Sequence, residues 1–485
     1  MNNTTSGHTP VRKTKIVATI GPACNTPELL KEMIEAGMNV ARLNLSHGTH
    51  ADHSKQILTL RHAASELGRN IAIMIDTRGI EIRTGLLEDG IVTLVPGELF
   101  SLYTEDRPGD INGVSITYQK LFEEVRKGIP ILLDDGAIEL EVETVKDGVI
   151  ICRIIHGGLL GNCKSVNLPE TQLAMSAVSP ENREDIVKEL SFAAENDVDY
   201  IAASFVQTAD DIYKMREILI EKDALIPIIA KIENKAGVAN LEEIVDAADG
   251  IMVARGDLGV ELPLADVPST QKQIIRTTVS NGKPVITATQ MLASMEHNPK
   301  PTRAEASDVA NAILDGTSAV MLSGETAVGK YPLEAIQTLA TITLRAEASL
   351  NDYGYLQKIK PSPANVVTQA VGQASVGMAK NLKAAAIISL TESGFTSRLV
   401  SKYRPDCPIM AVTSSQRVAR KLSMNWGVIT ALYEGEPNDD ARIEFAIEQT
   451  KKITNADSGD ILIVTAGHLQ HGSGGTDLVR IITLQ

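Results

Sequence analysis

Short aliphatic and β-branched runs alternate with longer amphipathic segments along most of this chain. Residues 16–20 form an apolar run, 27–36 carry apolar positions at helical spacing, and a second apolar run ends at Leu43. Strands buried on both faces read as continuous apolar runs, and the helices between them repeat every three or four residues. The alternation therefore predicts βα units and a parallel sheet or barrel. It stops after Asp76 and resumes near Ser179. Eight strand candidates result, at 16–20, 39–43, 71–75, 200–205, 226–230, 250–253, 284–288 and 318–322. Eight units split by one insertion predict an α/β fold of the TIM (β/α)8 barrel type.

The insertion has a different rhythm. Gly90, Gly97, Gly109, Gly113, Gly136, Gly148 and Gly157 punctuate short apolar runs, and 118–125 is the one fair helix candidate there. This predicts a small β-barrel lid domain. Further on, Thr302 and Glu305 form a capping box after Pro301. Ala306, Val309, Ala310, Ile313 and Leu314 continue the helix, and Asp315-Gly316 ends it. Gly354, Pro361 and Pro363 mark 353–365 as a linker. Beyond it, strand candidates at 384–390, 409–412, 428–431 and 461–464 predict an open C-terminal α/β sandwich. The expected domains are a barrel from 11–77 and 178–352, the lid from 78–177, and the C-terminal domain from 366–485.

Composition narrows the partners. With 485 residues, 43% of them apolar, the chain can bury several cores. A formal charge of −15 argues against nucleic acid and acidic membranes. The cysteines Cys24, Cys152, Cys163 and Cys407 lack zinc or redox spacing and are expected as reduced packing residues in a cytoplasmic protein. The first ten residues are mostly polar, so no signal peptide is expected, and no apolar run reaches membrane-spanning length.

The chemistry gathers where apolar runs end. Lys231 and Glu233 close one strand candidate and alternate onto one face; Arg255-Gly256-Asp257 close the next. An ammonium among carboxylates suits a divalent metal bound together with an anionic oxygen. Read in order, the strand ends are Thr19-Ile-Gly-Pro22, Ala41-Arg-Leu-Asn-Leu-Ser-His-Gly48, Ile75-Asp-Thr-Arg-Gly-Ile-Glu-Ile-Arg83, Ala203-Ser-Phe205, Lys231-Ile-Glu233, Arg255-Gly-Asp257, Ala288-Thr-Gln-Met291 and Met321-Leu-Ser-Gly-Glu-Thr326. In this order and over essentially the whole chain, they resemble the pyruvate kinase family.

The resemblance implies phosphoryl transfer from phosphoenolpyruvate to ADP, giving pyruvate and ATP. It implies Mg²⁺ (or Mn²⁺) on Glu233 and Asp257, and Lys231 and Arg42 on the transferring phosphoryl group. It places the substrate carboxylate at Gly256, Asp257 and Thr289, and a proton path at Thr289 or Ser323. Asn44, Ser46, Asp76 and Thr77 match the family's K⁺ ligands. Glu81 stands where K⁺-dependent members carry Glu, so K⁺ dependence is expected. Arg83 and Lys164, with Asn44, match residues near the nucleotide. The segment from Thr391 through Ser393 and Gly394 to Thr396 resembles the family's effector phosphate loop, with Gly472 to Thr476 facing it. Glu392 would repel a second phosphate, which favours AMP or a sugar monophosphate as effector. A homotetramer is implied as well.

Four positions depart from the family pattern: Arg78 for Lys, Ile80 for Pro, Ser165 for Gly and Gln207 for Arg. Arg78 and Ile80 give some support to a second reading, a catalytically impaired paralogue that senses phosphometabolites. A different Mg²⁺-enolate barrel enzyme would leave the insert and the C-terminal region unexplained. Several residues have plainer readings. Arg303 and Glu305 are expected as helix start and cap, Asp134 and Asp135 as a turn, and His47 as structural.

Overall fold

The computed structural model describes residues 11–79, 82–169, 171, 175–180, 182–354, 366–436, 438–467 and 475–485. Eight parallel strands close on themselves: β1 (Lys15–Thr19), β2 (Val40–Asn44), β3 (Ala72–Asp76), β4 (Tyr200–Ala203), β5 (Ile228–Ile232), β6 (Gly250–Ala254), β7 (Val285–Ala288) and β8 (Ala319–Leu322). Neighbours follow chain order, and β8 pairs back onto β1. The predicted TIM barrel is therefore present. Alternate strand residues fill its interior: Val17, Val40, Ala72, Met74, Ala202, Ile229, Met252 and Met321 form one buried cluster with Met424. The opposite faces pack on the surrounding helices. Register aligns the strand ends that carry the polar residues. Asn44 lies opposite Asp76, and Ala254 opposite Ala288.

Helix Arg303–Leu314 follows its sequence signals. The Thr302 hydroxyl accepts from the Glu305 N–H, and the Glu305 carboxylate accepts from the Thr302 N–H. The chain then turns at Gly316, whose φ of 100° suits a residue without Cβ.

The insertion between β3 and β4 holds a two-stranded ladder and a six-stranded sheet around a core of its own. The edge strands of the six are Gly113–Ser115 and Val166–Asn167. Single-residue bridges from Thr84 to Ile116 and from Arg83 to Ser165 join both edges, so the sheet curls closed. The helix here, Leu121–Glu124, is shorter than the expected span.

The C-terminal sheet contains β9 (Ala386–Leu390), β10 (Ile409–Thr413), β11 (Val428–Leu432), β12 (Ile461–Ala466) and β13 (Leu478–Thr483), in the order β11-β10-β9-β12-β13. Strand β13 is antiparallel and was not expected. Helix Gln416–Leu422 docks this sheet under the barrel. The Tyr200 hydroxyl donates to the Lys421 carbonyl at 2.6 Å, and Arg420 pairs with Asp199 at 2.8 Å.

Candidate active site

Five strand ends bring one charged network together. Asp76, 1% exposed, ends β3 between two cations. Arg42 Nε donates to it at 2.6 Å and Lys231 Nζ at 3.1 Å, and the Ser204 hydroxyl adds a bond of 3.2 Å. Lys231 also reaches Glu233 Oε1 and Ser204 Oγ, both at 2.7 Å. Glu233 Oε2 accepts from the Phe205 N–H at 2.7 Å. Arg42 Nη1 donates to Thr19 Oγ1 at 2.9 Å. Burial alone would raise the Asp76 carboxyl, but Arg42 and Lys231 hold it below the usual carboxylate range. Burial alone would lower the Lys231 ammonium, and Asp76 and Glu233 raise it instead. Lys231 is thus a fixed positive charge at neutral pH.

Asp257 sits in the first turn of helix Arg255–Glu261, directly after β6. Burial, then the nearby Glu233 charge, push its carboxyl up to about 7. Two crowded carboxylates of this kind are relieved by a divalent cation. Among the described residues no three His, Cys, Asp or Glu side chains converge as a metal cage. A two-carboxylate site suits a hard ion that completes its shell with water and substrate oxygens, as Mg²⁺ does. Glu233 and Asp257 fit that ion.

The neighbouring turn is strained. Thr289 and Gln290 have φ of 66° and 53°, in the left-handed region that β-branched residues avoid. The Gly256 N–H donates to Thr289 Oγ1 at 2.8 Å. The Arg255 guanidinium, paired with Asp308 at 2.6 Å, donates to the carbonyls of Ala288 and Thr289 and so holds the turn. Ser323 Oγ is buried without a hydrogen-bond partner among the described residues, while the Ser323 N–H is held by Glu325 at 2.7 Å.

The other sequence candidates fall around this network. Asn44 Oδ1 accepts from the Ser46 N–H at 3.1 Å, Ser46 is exposed, and Thr77 Oγ1 accepts from the Ser204 N–H at 3.1 Å. A carboxylate has about four lone-pair positions. Asp76 accepts from Arg42 and Lys231 and lies 3.2 Å from the Ser204 hydroxyl, and Asn44, Ser46 and Thr77 stand at or just after the ends of β2 and β3. Arg83 donates to the Cys163 carbonyl at 2.8 Å, and Lys164 pairs with Asp134 at 2.8 Å, both in the insert. Glu81, Ile80, Gly472 to Gly474 and most of the expected linker lie outside the described residues.

In the candidate effector loop the Gly394 N–H donates to Thr391 Oγ1 at 2.9 Å, and the hydroxyls of Thr396 and Thr476 meet. Arg398 donates to the Ser393 carbonyl at 3.2 Å. Glu392 pairs with Arg442 at 2.6 Å, so its charge is compensated. Two of the departures have local partners: Ser165 Oγ donates to Asp135 at 2.7 Å, and Gln207 to the Met175 carbonyl at 2.8 Å. The cysteine expectation needs one correction. Cys24, Cys152 and Cys407 are buried, but Cys163 is exposed on a turn with φ of 54°.

Sequence reasoning gave no role to Ser204, Arg255 or Glu325. Each sits inside a quoted motif, but each has a partner far along the chain, as with Asp308, 53 positions from Arg255, and Leu292, 33 from Glu325.

Residues 11–336 match the family model for the pyruvate kinase barrel domain, and 369–482 match that for its alpha/beta domain. A pyruvate kinase of Geobacillus stearothermophilus is 47% identical over 473 residues, covering 97% of this chain and 80% of the relative. Pyruvate kinases of Sporosarcina psychrophila and Bacillus licheniformis are 46% and 45% identical over 474 residues, with the same coverage. With the closed barrel and the strand-end network in the family's order, the chain belongs to the pyruvate kinase family.

Proposed function

We propose that this protein transfers the phosphoryl group of phosphoenolpyruvate to ADP, and that the network at the ends of β2, β3 and β5 performs the transfer. The observation that carries this reading is the largely buried Lys231 ammonium, fixed between Asp76 and Glu233 beside Arg42. Phosphoryl transfer is chiefly a matter of positioning and charge neutralisation. Lys231 would stabilise charge on the moving phosphoryl group and on the enolate oxygen it leaves, and Arg42 would orient the same phosphate. The N–H groups of Gly256 and Asp257, with Thr289, would hold the substrate carboxylate. Thr289 or the Ser323 hydroxyl would lead a proton to the enolate carbon.

Glu233 and Asp257 would hold Mg²⁺, which would supply positive charge against the phosphate. Asn44, Ser46, Asp76 and Thr77 would hold K⁺. Arg83 and Lys164 would meet the nucleotide as the insert closes over the site and excludes water. The loop from Thr391 to Thr396 would take a phosphorylated effector, within a homotetramer acting in the cytoplasm.

A lactate dehydrogenase-coupled assay with phosphoenolpyruvate, ADP and Mg²⁺ tests the reading, run with K⁺ and with K⁺ replaced by Tris. Turnover that requires both ions supports it. Undiminished turnover without K⁺ removes the monovalent site. No turnover under any ionic condition, or in the presence of AMP or sugar phosphates, refutes the reaction.

A further inference from the structure

The four residues expected to hold a monovalent cation come from two neighbouring strand ends. Asn44 ends β2 and Asp76 ends β3, opposite each other in register, and Ser46 and Thr77 follow them. All four offer side-chain oxygen, the donor that hard cations prefer. Leu45 stands between Asn44 and Ser46. Its side chain is 1% exposed within the barrel core, and its N–H donates to the Asp76 carbonyl at 3.0 Å. Its carbonyl accepts from Arg78 Nε at 2.8 Å.

Arg78 therefore ties the two segments together. It directly follows Thr77, and its side chain reaches back to the loop that carries Asn44 and Ser46. A third element joins at the same point. Glu189 is buried on helix Arg183–Glu195, the first helix after the insert. Its Oε2 accepts from the Arg78 N–H at 3.1 Å, and its Oε1 lies 3.5 Å from Arg78 Nε. A carbonyl and a carboxylate thus meet one side chain, which suits a planar guanidinium with several donors better than the point-like ammonium of the family's Lys.

We propose that Arg78 is a positioning residue for the monovalent-cation site, holding the 44–46 loop against Asp76 and Thr77. The inference rests on the K⁺ reading of those four residues and names a residue outside them that sets their affinity. Two effects of Arg78 on a bound cation oppose each other. Its charge repels K⁺, whereas its bond to Leu45 keeps two of the ligands in place. The side chain is 53% exposed and lies beside the Glu189 carboxylate, so solvent and an opposite charge screen the repulsion. The hydrogen bond acts directly on the residue between two ligands. The positional effect therefore outweighs the repulsion.

The test compares the full-length parent with Arg78→Met and Arg78→Lys at pH 8, above the value of about 7 to which burial pushes the Glu189 carboxyl. K⁺ is exchanged for tetramethylammonium at constant ionic strength. One readout is the rise in Tm as K⁺ is added without substrates, since a ligand that binds the folded chain stabilises it according to its saturation. The other is the K⁺ concentration for half-maximal turnover in the coupled assay, at saturating phosphoenolpyruvate, ADP and Mg²⁺. Arg78→Met should need about tenfold more K⁺ in both readouts, the size expected for one lost hydrogen bond from a charged donor, with KM for phosphoenolpyruvate at saturating K⁺ within about twofold of the parent. Arg78→Lys should fall between the two. Arg78→Gln gives the same comparison if Arg78→Met does not fold. A parent indifferent to K⁺ in both readouts overturns the K⁺ reading and this proposal with it. A parent that responds, with Arg78→Met responding at the same K⁺ concentration, leaves the K⁺ reading standing and overturns the role of Arg78. Tighter K⁺ binding by Arg78→Met also overturns it, because repulsion would then dominate. So does an equal loss of affinity for K⁺ and phosphoenolpyruvate, the mark of a general structural role.

Discussion

Replacing Arg255 by methionine should cripple turnover although no group proposed to contact substrate is itself replaced. The side chain is 10% exposed, ion-paired with Asp308, and donates to the Ala288 and Thr289 carbonyls. Hydrogen bonds from a charged donor contribute about 1.5–3 kcal/mol each, so the two carbonyl contacts supply roughly 3–6 kcal/mol. Thr289 and Gln290 both sit in the left-handed region. Each costs of order 1–3 kcal/mol, or roughly 2–6 kcal/mol for the pair. The two sums are of similar size, so without the guanidinium the turn should relax. Thr289 Oγ1 then moves away from the Gly256 N–H, and a misplacement near 1 Å costs about 10²-fold in rate. The predicted loss in kcat/KM for phosphoenolpyruvate is about 100-fold for Arg255→Met. Arg255→Lys should lose about tenfold, since one ammonium cannot serve both Asp308 and the carbonyls. Adding Gln290→Gly to Arg255→Lys should recover part of the loss by relieving strain. The coupled assay reads all three. Arg255→Met with kcat/KM within twofold of the parent would refute the reasoning.

Three further outcomes are expected. Glu189 is buried, its Oε1 lacks a hydrogen-bond partner among the described residues, and burial pushes its carboxyl up to about 7. Its folded pKa lies above the unfolded one, so its contribution to stability falls as pH rises from about 4.5 through 7, by about 3 kcal/mol at 1.36 kcal/mol per unit. Glu189→Gln should therefore raise Tm at pH 8 and change it little at pH 5; equal shifts at both would contradict this. Ellman's reagent should modify one thiol per native chain, because Cys163 is exposed while burial pushes Cys24, Cys152 and Cys407 up to about 11 or 12. Cys163→Ser should abolish that fast phase, and a persisting phase would show another accessible thiol. Removing the Glu305 carboxylate, which accepts from Thr302 and from both the N–H and hydroxyl of Ser294, should destabilise by about 2 kcal/mol in urea melts, against no change if the cap is idle.

Much of this architecture is legible along the chain because parallel strands are buried on both faces. Their apolar runs stand out, and the first polar residue after each run marks a strand end. That is how Asp76 and Lys231 could be placed before their contacts were known. Strand β13 escaped because it is a largely exposed edge strand running antiparallel, and a βα rhythm leads one to expect a parallel neighbour. The insert was expected as a small β-barrel, but which residues close it was not legible, because the isolated bridges at Arg83 and Thr84 leave no periodicity. Asp76 was expected as a cation ligand from the family resemblance. Its place between Arg42 and Lys231 depends on partners 34 and 155 positions away.

The most direct test of the account is the conversion of phosphoenolpyruvate and ADP to pyruvate by the parent and by Lys231→Met, with Mg²⁺ and K⁺ present and folding checked by circular dichroism. The account predicts turnover by the parent and a folded variant slower by at least 10²–10³-fold, the usual size of effect when one preorganised charge-stabilising donor is removed. A folded variant within tenfold of the parent would contradict the role given to Lys231, and with it the mechanism.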